Sequence, residues 1–232
     1  MKYRGTPLPH IRMMPPPIHV EQLGNIDFVF CTHHHTDHMD PGTLMPLARQ
    51  PDLRYVVPAA SRAEAMKRSG VREERLVCVD AGDEIELLPG LIVKPVRSAH
   101  ETLQLDSAGH HLFLGYGIEL GGATIFHSGD AVPFEGEEDE VAALAADVAL
   151  LPVNGRSKAL AENGVPGNFF LREATALSRN CGIPFMLSHH YGMFEFNTIE
   201  LEEIEREATR PDLGVDMRPA LLGVEYAVND VP

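Results

Sequence analysis

The chain has 232 residues, 44% hydrophobic and 23% charged, which allows one globular domain over 1–232 with a sizeable core. A net charge of −15 and a pI near 5.1 exclude a surface built to follow a phosphate backbone, so no nucleic-acid partner is expected. There is no apolar run of roughly 18 residues and no charged-then-apolar leader layout, so no membrane partner is expected and the expected location is the cytoplasm.

Residues 1–25 are proline-rich (Pro7, Pro9, Pro15, Pro16, Pro17) and read as loop. An apolar, β-prone run at 26–30 leads into Thr32-His33-His34-His35-Thr36-Asp37-His38-Met39-Asp40. Asp40-Pro41 reads as an N-cap followed by proline at the first helical position, opening a short helix over 41–50. A strand is expected at 54–58, then a helix at 61–69 with Ser61 as cap, Glu64 as its capping-box partner and Gly70 as the stop. A strand at 76–79 follows. Residues 85–88 and 91–96 alternate about Pro89-Gly90, and 112–120 and 123–127 about Gly121-Gly122, which predicts two hairpins. An acidic-fronted helix at 137–146 suits the helix dipole. Then come a buried strand at 147–153, a helix at 171–179 ending near Gly182, a strand at 185–188, a Glu-rich helix at 198–209 and a closing strand at 220–228. The scattered Cys31, Cys78 and Cys181 read as reduced, buried thiols. β-rich first and then alternating β and α fits an α/β sandwich with helices outside two sheets, although pattern alone does not separate it from other α/β layouts.

The histidine run carries the chemistry. Four of the chain's 12 histidines lie within 33–38, behind a strand and before a helix. In an extended segment residues two apart face the same way, so His33 and His35 can grip one ion. Asp37 and His38, where the chain turns, can face a second. Imidazole suits zinc, and an added carboxylate suits manganese or a bridging role. The alternative is a histidine-rich surface turn.

His33-x-His35-x-Asp37-His38 resembles the signature of the metallo-β-lactamase-fold hydrolases, and its flanking segments resemble the branch containing L-ascorbate 6-phosphate lactonase. The resemblance implies a metallo-β-lactamase-like αββα sandwich holding two divalent metal ions, zinc or manganese. It also implies several strands ahead of the signature, whereas here the first clear strand is the one delivering it. Either the chain is short relative to such proteins, or another subunit of a homo-oligomer covers the exposed sheet edge.

The same resemblance implies the remaining ligands. His100 follows the strand at 91–96, Asp130 ends Ile125-Phe126-His127-Ser128-Gly129-Asp130, and His190 is followed by Tyr191 and Phe194 as in the family pattern. The proline usual before that last histidine is replaced by Leu187 or Ser188. Site one is then His33, His35 and His100, site two is Asp37, His38 and His190, and Asp130 bridges. His127 is left as supporting or structural, and His189 as pointing the other way along its strand. Asn154-Gly155-Arg156 resembles the Asn-Gly-Arg loop of the lactonase-like branch, with Gly167-Asn168 after it. It is expected to offer backbone donors and a guanidinium to an oxyanion or phosphate.

On this reading the protein activates water against a lactone or ester of a small molecule, such as a sugar-phosphate lactone. Asp130 and Asp37 are its catalytic candidates, Asp37 steering the nucleophile. Two other readings stay open. A phosphodiesterase or nuclease would use the same centre, with the acidic surface counting against it. A metal-binding protein without turnover would use only the ligands.

Overall fold

Two sheets face each other, each with helices on its outer side, in a computed structural model that describes residue 8 and residues 10–227. The smaller sheet is all parallel: β1 (Phe28–Phe30), β2 (Arg54–Pro58) and β3 (Leu76–Val79), linked by α1 (Pro41–Leu47) and α2 (Arg62–Ser69). β2 is buried on both faces, as a covered parallel strand must be. Tyr55 and Val57 pack outward with Leu44, Leu47 and Ala65, while Val56 packs inward with Val93, Leu114 and Tyr116 of the second sheet.

The larger sheet contains β4 (Ile85–Leu88), β5 (Leu91–Arg97), β6 (Leu114–Leu120), β7 (Ala123–His127), β8 (Val148–Pro152), β9 (Phe185–His189) and β10 (Asp216–Pro219), in the order β10-β9-β8-β7-β6-β5-β4. Its outer face packs against α3 (Glu137–Ala143), α5 (Leu171–Asn180) and α6 (Leu201–Ala208) through Val141, Leu171, Ala174, Leu177 and Ile204; the short α4 (Lys158–Glu162) carries no buried residue. Helix, sheet, sheet, helix is the expected four-layer sandwich.

Strand direction positions the site. β5 and β7 are each antiparallel to β6, and β7, β8 and β9 are mutually parallel. β5, β7, β8 and β9 therefore run the same way. Their C-terminal ends lie along one rim, which receives His100, Asp130, Asn154 and His190 in turn. β1 delivers 33–38 to the same rim: Thr32 O accepts from Leu114 N at 3.0 Å, and Cys31 O accepts from the Tyr116 hydroxyl at 2.8 Å.

Several local expectations need correction. Ser61 makes no capping hydrogen bond; Glu64 instead pairs with Arg68 at 2.6 Å, the stronger charge-assisted partner on its own helix face. Gly70 does stop the helix, at φ +74°. The closing strand is Asp216–Pro219, parallel to β9, and 220–227 is not a strand. That edge strand buries only Met217 between exposed Asp216 and Arg218, so its apolar signal is too thin to read, and Gly223 turns the chain at φ +72°. Val228, Pro7 and Pro9 lie outside the described residues. Cys31 is buried as expected, but Cys78 is exposed on edge strand β3 and Cys181 is half-buried; all three are free thiols. Between residue 10 and β1 the chain holds one 3-10 turn, Val20–Gln22, and one isolated bridge, Arg12 to Phe194. No helix among the described residues is long and apolar enough to cross a membrane.

Candidate metal centre

The seven expected ligands, numbered from 33 to 190, meet at one place. They form two four-residue clusters that share Asp130: His33, His35, His100 and Asp130, and Asp37, His38, Asp130 and His190, with ligand atoms inside each within 4.8 Å of one another. Asp130 divides its oxygens between them. Oδ2 lies 3.5 Å from His100 Nε2 and 4.0 Å from His33 Nε2. Oδ1 lies 3.1 Å from His38 Nε2 and 3.2 Å from His190 Nε2. Asp37 Oδ2 completes the second cluster, 3.6 Å from His190 Nε2 and 3.8 Å from His38 Nε2.

These residues fit a pair of metal ions. Ligands about 2.0–2.1 Å from a tetrahedral ion stand roughly 3.4 Å from each other, close to the spacings seen. His33 Nε2 is buried with no hydrogen-bond partner, a costly state unless another partner takes it. Three of the opposite ring nitrogens are occupied. His100 Nδ1 donates to Gly167 O at 2.9 Å, and His33 Nδ1 and His38 Nδ1 contact Thr32 Oγ1 at 3.0 and 3.3 Å. Tying down Nδ1 places the proton there and leaves the Nε2 lone pair facing inward.

Protonation differs between the clusters. Burial, with His38 beside it, holds His33 well below the usual imidazole range; burial, His100 and His34 bring His35 down to about 4; burial also lowers His100. These three are neutral imidazoles, the form a metal takes. Burial likewise opposes charge on His38 and His190, but Asp130 and Asp37 prevail, raising His38 and bringing His190 up to about 9. The acids answer: burial opposes their ionisation, yet His190 and His38 pull Asp37 down to about 2 and hold Asp130 well below the carboxylate range. In the second cluster, protons occupy positions where a cation's charge is called for.

Backbone strain fixes the strand ends. His190 has φ +62°, uncommon outside glycine, and it re-aims the side chain where β9 stops. Gly129 has φ +67°, and a Cβ there would stand 2.8 Å from Thr32 Cβ, so the turn presenting Asp130 demands glycine. His127 supports that turn, its Nδ1 accepting from Gly129 N at 2.9 Å. Its ring lies 5.0 Å from that of His189.

The Asn154-Gly155-Arg156 triplet takes a different place from the one expected. The Arg156 guanidinium is forked onto Glu173 at 2.6 and 2.7 Å and lies over the Phe170 ring. It lines a separate cavity of about 510 Å³, not the one holding the metal clusters. Asn154 Oδ1 accepts from Asn168 Nδ2 at 2.9 Å, Gly155 O accepts from Asn168 N at 2.9 Å, and a Cβ on Gly167 would overlap Arg156 at 2.0 Å. The triplet thus clamps 167–168, whose Gly167 carbonyl orients His100. The expected guanidinium contact to substrate fails for a physical reason: a carboxylate one helix away already satisfies that fork. Thr32 and Arg68 went unnoticed in the sequence. Thr32 stands directly before the histidine run, a signal in plain view; Arg68 reaches the site from a helix some 30 residues on.

The cavity over the clusters measures about 370 Å³ and is lined in part by Thr36, Asp37, Arg68, Asn168, Phe194 and Asn197. A four-layer α/β sandwich whose parallel strand ends present two histidine–aspartate clusters sharing one carboxylate defines the metallo-β-lactamase fold. The model of the beta-lactamase superfamily domain matches residues 4–191, and the chain belongs to that superfamily. It is 27% identical over 207 residues to a UPF0173 metal-dependent hydrolase of Rubrobacter xylanophilus, covering 87% of this chain and 78% of the relative. A UPF0173 metal-dependent hydrolase of Nanoarchaeum equitans is 26% identical over 140 residues, but the match spans only 61% of that protein. Among solved structures, an isothiocyanate hydrolase from Delia radicum gut bacteria superposes with a TM-score of 0.76 over 97% of this chain and 87% of its own at 16% identity. Igni18, a metallo hydrolase from Ignicoccus hospitalis, gives 0.66 over 87% and 80% at 20% identity. At these identities the superpositions speak to the fold.

Proposed function

We propose that the protein is a metal-dependent hydrolase with a dinuclear centre that cleaves a lactone or ester of a small molecule. The observation carrying this reading is the carboxylate of Asp130, buried and shared between two clusters of ligand atoms. His33, His35 and His100 would hold one ion, and Asp37, His38 and His190 the other. Zinc or manganese bound there supplies Lewis acidity and makes hydroxide available near neutral pH.

The protein's own groups supply the rest. Asp130 neutralises charge on both sides and fixes the separation of the two positions. Asp37 reaches the cavity, its side chain 29% exposed, so its carboxylate can accept a hydrogen bond from a nucleophile and orient it. A cavity of about 370 Å³ suits a small substrate. The metal-dependent hydrolases of Rubrobacter and Nanoarchaeum support the reaction class. The sugar-phosphate lactone is the narrower form of the proposal; it rests on the sequence likeness to the lactonase-like branch alone, since Arg156 is engaged by Glu173 outside this cavity. A phosphodiesterase acting on nucleic acid is disfavoured by the net charge of −15.

The test is metal analysis by inductively coupled plasma on protein purified without chelator, followed by a panel of lactones and esters. Two equivalents of zinc or manganese with turnover support the reading. A full complement of metal with no turnover on any lactone, ester or phosphodiester would mark the chain as a metal-binding protein without catalysis.

A further inference from the structure

Two cavities border the clusters and share Gly164, Pro166, His34, His35 and His100 in their linings. One, of about 320 Å³, carries Glu101 and Gln104 and no lysine or arginine among its described lining. The other, of about 370 Å³, carries Asp37 and Asp130 of the clusters together with Arg68, the one lysine or arginine among the described residues lining it.

Arg68 is held in a fixed pose with one edge left over. Its Nε donates to Glu64 Oε1 at 2.6 Å. Its Nη1 donates to His34 O at 2.6 Å and to Met39 O at 3.2 Å. Nη2 makes no hydrogen bond to any described residue. The side chain is 14% exposed, so the guanidinium is largely desolvated yet borders the cavity. A guanidinium fixed on two sides loses little freedom when its third receives an oxyanion, and a half-buried site strengthens the contact. Thr36 and Asn197 line the same cavity and add uncharged donors.

We propose that Arg68 is the anion-recognising residue of the larger of these cavities, so that the substrate carries a carboxylate or phosphate group, held at Arg68 with its labile bond over the clusters. This deepens the hydrolase reading and rests on it for the labile bond. Glu64 is the positioning residue: among the described residues its carboxylate accepts hydrogen bonds from the arginine's Nε and from Lys67, and it aims the free edge.

The experiment uses the zinc-loaded full chain and its Arg68→Met and Arg68→Lys variants, each checked for metal content. Turnover is compared on mono-p-nitrophenyl glutarate, an anionic ester, and p-nitrophenyl acetate, a neutral one. Because Arg68 also holds the His34 and Met39 carbonyls, the readout is the ratio of the two kcat/KM values. Arg68→Met should lower that ratio about tenfold, mainly through KM of the anionic ester, and Arg68→Lys should restore part of it. An unchanged ratio would overturn the proposal and leave Arg68 as a brace for the histidine turn.

Calorimetry with glutarate and with inorganic phosphate on the same proteins is independent of turnover. Binding weakened about tenfold in Arg68→Met supports the anion site even if neither ester is hydrolysed, in which case it is the hydrolase reading that fails. Binding of both anions unaltered by the substitution overturns the site whatever the esters do. Whichever anion depends more on Arg68 identifies the group as carboxylate or phosphate.

Discussion

The turn at 33–38 and the three strand ends bearing His100, Asp130 and His190 reach the same centre by different means. In the turn, neighbouring residues supply His33, His35, Asp37 and His38, and one short hydroxyl, Thr32, steadies two of the rings. The strand-end residues stand 30 or more positions apart; His190 is aimed by its own left-handed φ, and His100 and Asp130 by partners from elsewhere. His100 leans on Gly167 O, the Asp130 backbone carbonyl accepts from Ser98 Oγ at 3.2 Å, and Val132 N is tied to Ala99 O at 2.8 Å. The turn carries its ligands in its own sequence and is braced from outside at its backbone by Arg68 and β6, whereas the strand ends borrow their side-chain aim from the sheet. Damage to the first should stay local, and damage to the second should spread.

Asp130→Ala is the strongest way to break that comparison. Its two oxygens face different clusters, so the substitution should take two metal equivalents to none and abolish turnover. His35→Ala, on the turn, should remove one equivalent and leave the other. Two equivalents retained by Asp130→Ala, by metal analysis, would sink the idea of a shared carboxylate.

Gly129→Ala comes next. A left-handed φ and a Cβ 2.8 Å from Thr32 Cβ should cost roughly 2–4 kcal/mol in urea unfolding and misplace Asp130 as well. An equal midpoint would mean that the 128–130 turn has more room than it shows. Thr32→Val sharpens the local half: it keeps the volume, removes the hydroxyl shared by His33 and His38, and should weaken metal binding by roughly 10–100-fold with little change in unfolding.

The last effect is a proton. In metal-free protein His190 should titrate near 9, as followed by NMR of its ring, and zinc should abolish the titration by displacing the proton. The folded-state pKa lies above the ordinary 6.5, so the folded form binds the extra proton between these values. The stability this adds is fully present below about 6.5 and is lost as pH rises through about 9. A metal-free His190 titrating at 6.5 or below would mean that Asp37 and Asp130 do not act on it as their distances suggest.

Much of the fold was legible because its signals are local. Residues 54–58 read as a strand, Gly70 as a helix stop, and Gly121-Gly122 as a hairpin turn. Where competing partners decide, the reading failed. Glu64 had two possible roles and took the arginine, and β10 hides its single buried Met217 among charges. The candidate site divides the same way: 33–38 announces itself by spacing, but His100, Asp130 and His190 were placed by resemblance, since nothing local marks a lone histidine as facing a common centre.

By itself, then, the amino-acid sequence determined the strand-to-turn delivery of four clustered side chains and the order of α and β that stacks two sheets. Those depend on periodicity and on residues a few positions apart. Only the tertiary structure decided that Asp130 splits its oxygens between two clusters, that Glu173 takes Arg156 away from the cavity, and that Arg68 borders it instead. Each is a contest among partners distant in the chain, and packing alone settles which of them come within reach.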